Sequence, residues 1–157
     1  MSNSSVDIQL ADYDNPRDAQ AVLNVLDTYA QDPMGLQHPL PDRISEQLIS
    51  KLKAFPTAFS VLAWKEDRPV GLANCVLGFS TFSACRLINI HDLAVVPNMR
   101  GHGIGQLLLD FISEEAIRRD CCKITLEVRV DNPARRLYKR NGFKADDPPF
   151  EYWTKEL

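Results

Sequence analysis

No apolar run in the chain approaches the roughly 18 residues that a membrane helix needs. Residues Met1 to Asp7 lack both the basic start and the apolar middle of a secretion signal, so the expectation is a cytoplasmic protein with no membrane partner. Basic charge is not in excess either: 18 Lys and Arg stand against 21 Asp and Glu, a net charge of -3. A nucleic-acid binder would carry a basic stripe to neutralise phosphates, so that class is set aside, with local basic clusters left open. Cysteine is scarce and unpatterned. Cys75, Cys85, Cys121 and Cys122 show no CxxC spacing, which argues against a metal site and for reduced thiols packed as small apolar groups. Internal repeats and low-complexity tracts are missing as well.

What is present is an ordinary globular composition, 45% hydrophobic and 25% charged in 157 residues. A chain of this length buries roughly 70% of the surface its unfolded form exposes, so one core can stabilise it. One domain over residues 1–157, frayed at 1–5, is therefore expected.

Periodicity gives the element order. Val6 to Leu10 alternates apolar and polar residues as a half-buried strand does. Pro16 opens a helix to Ala30 in which Ala19, Val22, Leu23, Leu26 and Ala30 form one face. Three prolines and a glycine between Asp32 and Pro41 force a loop, and a second helix runs from Asp42 to Lys53. Two antiparallel strands follow from Ala58, the second over Val70 to Phe82, and a third spans Arg86 to Val96 before Pro97. Gly103 to Arg119 is strongly amphipathic through Ile104, Leu107, Leu108, Phe111, Ile112 and Ala116. Lys123 to Val130 reads as a strand, Pro133 to Asn141 as a helix ended by Gly142, and Phe143 to Leu157 as a terminal strand pair.

The segment Val95-Val96-Pro97-Asn98-Met99-Arg100-Gly101-His102-Gly103-Ile104-Gly105-Gln106 is a strand, a glycine-rich turn and a helix start. Glycines let the backbone approach a ligand closely, and free amides at the positive end of a helix dipole favour an anion such as a pyrophosphate. Arg100 would add a charge-assisted contact. A tight strand-to-helix turn without a ligand is the competing explanation. The turn is not a P-loop, because no Lys-Ser/Thr follows the glycines, and its spacing is not the GxGxxG of a dinucleotide fold.

Arg100-Gly101-His102-Gly103-Ile104-Gly105 after Asp92-Leu93-Ala94-Val95 resembles the GNAT superfamily of acyl-CoA-dependent N-acyltransferases, with its Arg/Gln-x-x-Gly-x-Gly/Ala motif. Leu126-Glu127-Val128 and Leu137-Tyr138-Lys139-Arg140-Asn141-Gly142-Phe143 look like the next strand and the Tyr-x-x-x-Gly-Phe element of that family. The likeness covers residues 86 to 145, and the N-terminal half matches only in element order. It implies an α/β (α+β) fold with a mixed, mostly antiparallel sheet of about seven strands, flanked by four helices and splayed between the fourth and fifth strands.

The same resemblance implies an enzyme that moves an acetyl group from acetyl-CoA to a primary amine by direct attack, with no metal. Backbone amides of Arg100, Gly101, His102, Gly103, Ile104, Gly105 and Gln106 would hold the pyrophosphate, and the main chain of Leu93, Ala94 and Val95 would pair with the pantetheine arm. A strand edge suits an amide-bearing ligand, and one of its donors can stabilise the developing oxyanion. Asn132 and Arg135 are further candidate CoA contacts, although Asn132 before Pro133 is also a good helix start. Asn132 precedes Tyr138 by six residues where seven is the common family spacing.

An acceptor amine with a pKa of about 10.4 is neutral in only about one molecule in two thousand at pH 7, so a nearby base is useful. His91, at a position that often carries Glu or His in related enzymes, is the candidate base, against a histidine satisfied inside the sheet. Two-residue alternation puts His91, Leu93 and Asn89 on one face, where Asn89 is a candidate to hold a water or the acceptor, and Asp92 on the other, in a structural hydrogen bond. Tyr138 is the candidate acid for the departing thiolate, against a partly buried helix tyrosine. Glu127 is read either as a water-mediated base or as half of a cross-strand pair with arginine. By resemblance, the loop Gln31 to Pro41 walls the acceptor pocket, with Met34, His38 and Phe82 among the candidate lining residues. A small-molecule amine is the expected acceptor. A protein N-terminus or lysine, or an inactive acyl-CoA-binding module, remains open, and a homodimer is possible by family habit.

Overall fold

The computed structural model describes residues 5–157, so the frayed start expected at 1–5 falls almost wholly outside the described residues. The chain divides into two compact units, one ending at Glu127 and the other Val128–Leu157. The first unit holds β1 (Val6–Leu10), α1 (Pro16–Ala30), α2 (Asp42–Ala54), β2 (Ala58–Lys65), β3 (Arg68–Ser80), β4 (Cys85–Val95), α3 (Ile104–Arg118) and β5 (Cys121–Leu126). The second holds α4 (Arg135–Arg140). Among the described residues no helix is long and apolar enough to cross a membrane.

The five strands form one sheet in chain order, antiparallel through β4 and parallel between β4 and β5. Its two faces are covered by different helices. Asn15 caps α1 by accepting the Arg17 amide at 2.9 Å, and Pro16 stands at its first turn. Ala21, Val22 and Val25 of α1 then pack on Leu62, Trp64, Leu72 and Ala94 of the sheet. The other face takes α3 through Ile104, Leu108, Leu109 and Ile112, all essentially buried. Each such aliphatic side chain contributes about 1.5–3 kcal/mol by leaving water. Gly71 permits the close approach: a Cβ there would stand 3.1 Å from both Ile104 Cγ2 and Leu108 Cδ1.

The sheet has five strands among the described residues, not about seven. The expected strand pair over Phe143–Leu157 is absent, and that segment is irregular, with Phe150, Tyr152 and Trp153 exposed. Pro148 and Pro149 have no amide hydrogen to give a ladder, which explains why the apolar alternation around them builds no strand. The thiol expectation also divides. Cys75 is a buried apolar group, whereas Cys122 is exposed and Cys85 and Cys121 are half-buried.

Candidate active site

The pairing of β4 with β5 stops partway along β4. Their parallel pairing runs from Arg86 opposite Cys121 to Ile90 opposite Leu126 and stops there. On its other side β4 stays paired with β3 as far as Val95. The β5-facing edge of His91 to Val95 therefore has no strand neighbour among the described residues, and apart from Val95 O, which accepts from Arg100 Nε, its backbone groups can meet an extended ligand. Where a splay between the fourth and fifth strands was expected, β5 ends at Leu126 while β4 continues to Val95.

The glycine turn follows directly. A short 3-10 turn, Pro97–Met99, leads to Gly101 and Gly103, whose φ angles of 78° and 80° lie in the left-handed region. Gly103 caps α3 without a side-chain bond, and the amides of Gly101, His102, Gly103, Ile104 and Gly105 reach no protein acceptor among the described residues. These are donors at the positive end of a 15-residue helix. A Cβ on Gly101 or Gly103 would meet nothing within 4 Å, so the space above the turn is open.

Arg100 is placed differently from the expectation. Its amide donates to Pro97 O at 3.3 Å, its Nε to Val95 O at 3.0 Å and its Nη2 to Asp32 Oδ2 at 2.7 Å. It ties the end of β4 to the loop after α1, so its Nε and Nη2 are already engaged within the protein. The Met34 amide, with Arg100 in support, holds the Asp32 carboxyl below its usual range against some opposing burial.

His91 occupies a β-bulge. Asn74 pairs with Asp92 and Cys75 with Ile90, which leaves His91 as the extra residue of β4. The bulge reverses the alternation: Asn89 and Asp92 share the face covered by α1, whereas Leu93 shares the α3 face with Ile90. Asn89 and Leu93 thus lie on opposite faces, contrary to simple two-residue counting. His91 itself is exposed and has no hydrogen-bond partner among the described residues, so it is not a histidine satisfied inside the sheet.

Asp92 makes the structural bond expected of it and more. Asn74 Nδ2 donates to Asp92 Oδ2 at 2.9 Å, Ser60 Oγ donates to Asn74 Oδ1 at 2.6 Å, and the Tyr13 hydroxyl lies 2.7 Å from Ser60 Oγ. Ser60 and Asn74 are buried polar residues in otherwise apolar strands, which was the available sequence signal for this network. Burial first, then the carboxylates of Asp92 and Asp32, raise the Tyr29 phenol above its ordinary value, with Arg100 opposing.

Where β4 and β5 separate, Asn89 Nδ2 donates to Thr125 Oγ1 at 3.1 Å and to the two Glu127 carboxylate oxygens at 3.2 and 3.3 Å. Glu127 is therefore paired with asparagine and not with arginine. Among the proposed acceptor residues, Met34 is half-buried and donates its amide to Asp32, while exposed His38 bonds Pro39 O through Nδ1 at 2.8 Å. Phe82 is not brought to the site: it stands fully exposed in the β3–β4 turn, before the opposite end of β4. An open cleft of about 430 Å³ lies beside this loop, lined by Thr28, Gln31, Asp32, Pro33 and Pro97.

The second unit carries the remaining candidates. Tyr138 of α4 is buried and meets Phe143 edge-on, with ring centroids 5.8 Å apart. Asn132 Oδ1 accepts the Ala134 amide at 2.9 Å, so it caps a turn, and α4 begins at Arg135, two residues later than expected. Arg135 Nη1 donates to Val130 O at 2.7 Å.

The parted edge, the glycine turn and the adjoining helix coincide with a match to the acetyltransferase (GNAT) family over residues 22–143. The chain belongs to the GNAT family. Within that family it is 30% identical over 86 residues to the [ribosomal protein bS18]-alanine N-acetyltransferase of Haemophilus influenzae, covering 52% of this chain and 57% of the relative. It is 31% identical over 90 residues to the aminoalkylphosphonate N-acetyltransferase of Salmonella typhimurium, covering 57% and 58%. The matched stretch spans little more than half the length of these curated relatives. The crystal structure of a ribosomal-protein-alanine N-acetyltransferase from Brucella melitensis superposes with a TM-score of 0.75 at 23% identity, over 98% of this chain and 100% of that one. At that identity the GNAT fold is what the superposition shows.

Proposed function

We propose that this GNAT chain, as a single catalytic domain, transfers an acetyl group from acetyl-CoA to the primary amine of a small molecule, by direct attack in a ternary complex. The observation that carries the reading is the unpaired edge of His91 to Val95 beside the open amides of the glycine turn. An acyl-CoA presents complementary groups in the same order: a pyrophosphate for Gly101 to Gln106 and an amide-bearing arm for Leu93, Ala94 and Val95. An edge amide also polarises the thioester carbonyl and stabilises the oxyanion that forms on attack. Asn132 and Arg135 are assigned further contacts with CoA.

His91 takes the amine proton. It stands exposed at the bulge, unencumbered by a hydrogen bond, beside the open edge. Glu127, held by Asn89 where the strands part, is the second group able to accept that proton through water. Tyr138 is assigned the role of acid for the CoA thiolate, on the likeness of the stretch from Tyr138 to Phe143 to the Tyr-x-x-x-Gly-Phe element of the family. Asp92 lies near Tyr29 on the α1 side, and its carboxylate favours a cationic acceptor, with Met34 and His38 in the loop after α1.

A protein N-terminus is the second reading for the acceptor. It is favoured by the match to an enzyme named for ribosomal-protein alanine acetylation. One experiment tests the reaction and separates the acceptors: thiol release from acetyl-CoA with a diamine, an aralkylamine, an aminoalkylphosphonate and a peptide bearing N-terminal alanine. Turnover with one of the small amines is expected, falling about 10²-fold or more in His91→Ala and Tyr138→Phe. Full activity in either variant removes that residue's role, and turnover with the peptide alone selects the second reading. No thiol release with any acceptor overturns the small-amine assignment.

A further inference from the structure

Three cysteines gather where β4 and β5 begin, at the end of the strands remote from their parting. Arg86 pairs with Cys121 and Leu87 with Lys123, so Cys122 is an extra residue in β5. The Cys85 thiol donates across to Asp120 O at 3.3 Å, and the Cys122 thiol donates back to Arg86 O at 3.4 Å. Each thiol thus bonds the backbone within two residues of the other cysteine, which sets Cys85 and Cys122 side by side at this end of the strand pair. Cys122 is exposed and Cys85 half-buried, so a small oxidant can reach the pair. The other two cysteines differ. Cys75 is buried and its thiol is pushed up to about 12, chiefly by that burial, while Cys121 turns toward Arg119 O.

We propose that Cys85 and Cys122 form a redox site that closes reversibly to a disulfide across β4 and β5 in the presence of a peroxide. Exposed Cys122 reacts first. Its thiolate attacks a peroxide oxygen, the O–O bond breaks, and the released hydroxide takes up the thiol proton as water, leaving a sulfenic acid. Cys85 then gives up its proton and attacks that sulfur; the S–S bond forms, the S–O bond breaks, and the departing hydroxide leaves as a second water with the Cys85 proton. Two thiols are oxidised and one hydrogen peroxide is reduced to two waters.

The order of attack follows from the environment. Cys85 is half-buried and its thiol hydrogen is held by Asp120 O, and the neighbouring Cys122 raises that thiol above its ordinary value, so Cys85 holds its proton and acts second. Contact with its target compensates, because the second step is intramolecular. The pair is separated from His91 by six residues of β4, about 20 Å at the usual rise per residue. The site therefore stands independently of the acetyl-transfer assignment.

The test is peroxide titration of the reduced full-length protein, followed by intact mass and fragmentation of the linked peptides. The expected product has lost two hydrogens, links Cys85 to Cys122, and returns to the starting mass with dithiothreitol. The link should persist in Cys121→Ser and vanish in Cys85→Ser and Cys122→Ser. Oxidation of wild-type Cys122 to a sulfinic acid with Cys85 left free, a link through Cys121 instead, or no reaction across the titration would each overturn the proposal.

Discussion

Asn74 donates through Nδ2 to Asp92 Oδ2 at 2.9 Å, one residue beyond the bulge at His91. The bond fixes the direction of a whole chain of hydrogens. Because the Asn74 amide nitrogen is used on Asp92, its oxygen must accept from Ser60, and Ser60 in turn accepts from Tyr13. The network therefore runs from the Tyr13 phenol to the carboxylate at the parted end of β4. It ties the strand on the far side of His91 to β3 and β2, so the bulge is held from within the sheet.

Removing the middle of that network should be costly. Asn74→Ala leaves Ser60 and Asp92 without their partner in a buried setting, and a loss of about 2–3 kcal/mol is expected from urea unfolding. Tyr13→Phe removes one hydroxyl at the half-buried end and should cost only about 1 kcal/mol. Equal losses in the two variants would contradict the directional network.

Gly103→Val should strike the donor site. The residue sits at φ 80°, where a β-branched side chain costs at least about 1–2 kcal/mol, and its side chain would enter the open space over the turn. Calorimetry should show CoA affinity at least about 10-fold weaker than wild type, equivalent to about 1.4 kcal/mol. Undiminished affinity would detach the turn from pyrophosphate binding.

Arg100 is expected to act as a fork that lysine cannot replace. Its Nε and Nη2 reach Val95 O and Asp32 Oδ2 together. Arg100→Lys and Arg100→Ala should both lose about 1 kcal/mol of stability, with a shared rise in KM for the acceptor. Restoration by lysine would show that charge alone matters.

Glu115 gives a pH dependence. Burial alone would raise its carboxyl, but hydrogen bonds from Arg119 and Arg118 outweigh burial and leave it below its ordinary value. A carboxyl depressed in the folded state stabilises fully above its unfolded value of about 4.3, and that stability is lost as pH falls through the folded value. Glu115→Gln should therefore be about 1–3 kcal/mol less stable than wild type at pH 7, with the gap narrowing as pH falls below the ordinary carboxyl value and on through the lower folded one. A gap unchanged by acid would contradict the pairing.

Much of this was legible in the sequence because local chemistry decides it. Asn15-Pro16 set the start of α1, and Pro97 with Gly101 and Gly103 set the turn before α3. A gap between β4 and β5 was implied by family resemblance, but not that it opens because β5 ends at Leu126. The bulge at His91 was not legible, because alternation carries no mark of an extra residue until the partners Asn74 and Cys75 are known. Nor was the capture of Arg100 by Asp32, which joins residues far apart in the chain. The terminal strands are absent for another reason: Pro148 and Pro149 have no amide hydrogens to give a ladder, and the aromatic residues after them stay exposed.

The most direct measurement is a diffraction structure with acetyl-CoA bound. The pyrophosphate should lie on the amides of Gly101 to Gly105, with the pantetheine arm along the unpaired edge and the thioester carbonyl accepting a β4 amide between Leu93 and Val95. Acetyl-CoA seated elsewhere, or β5 re-paired along His91 to Val95 so that no edge is free, would contradict it.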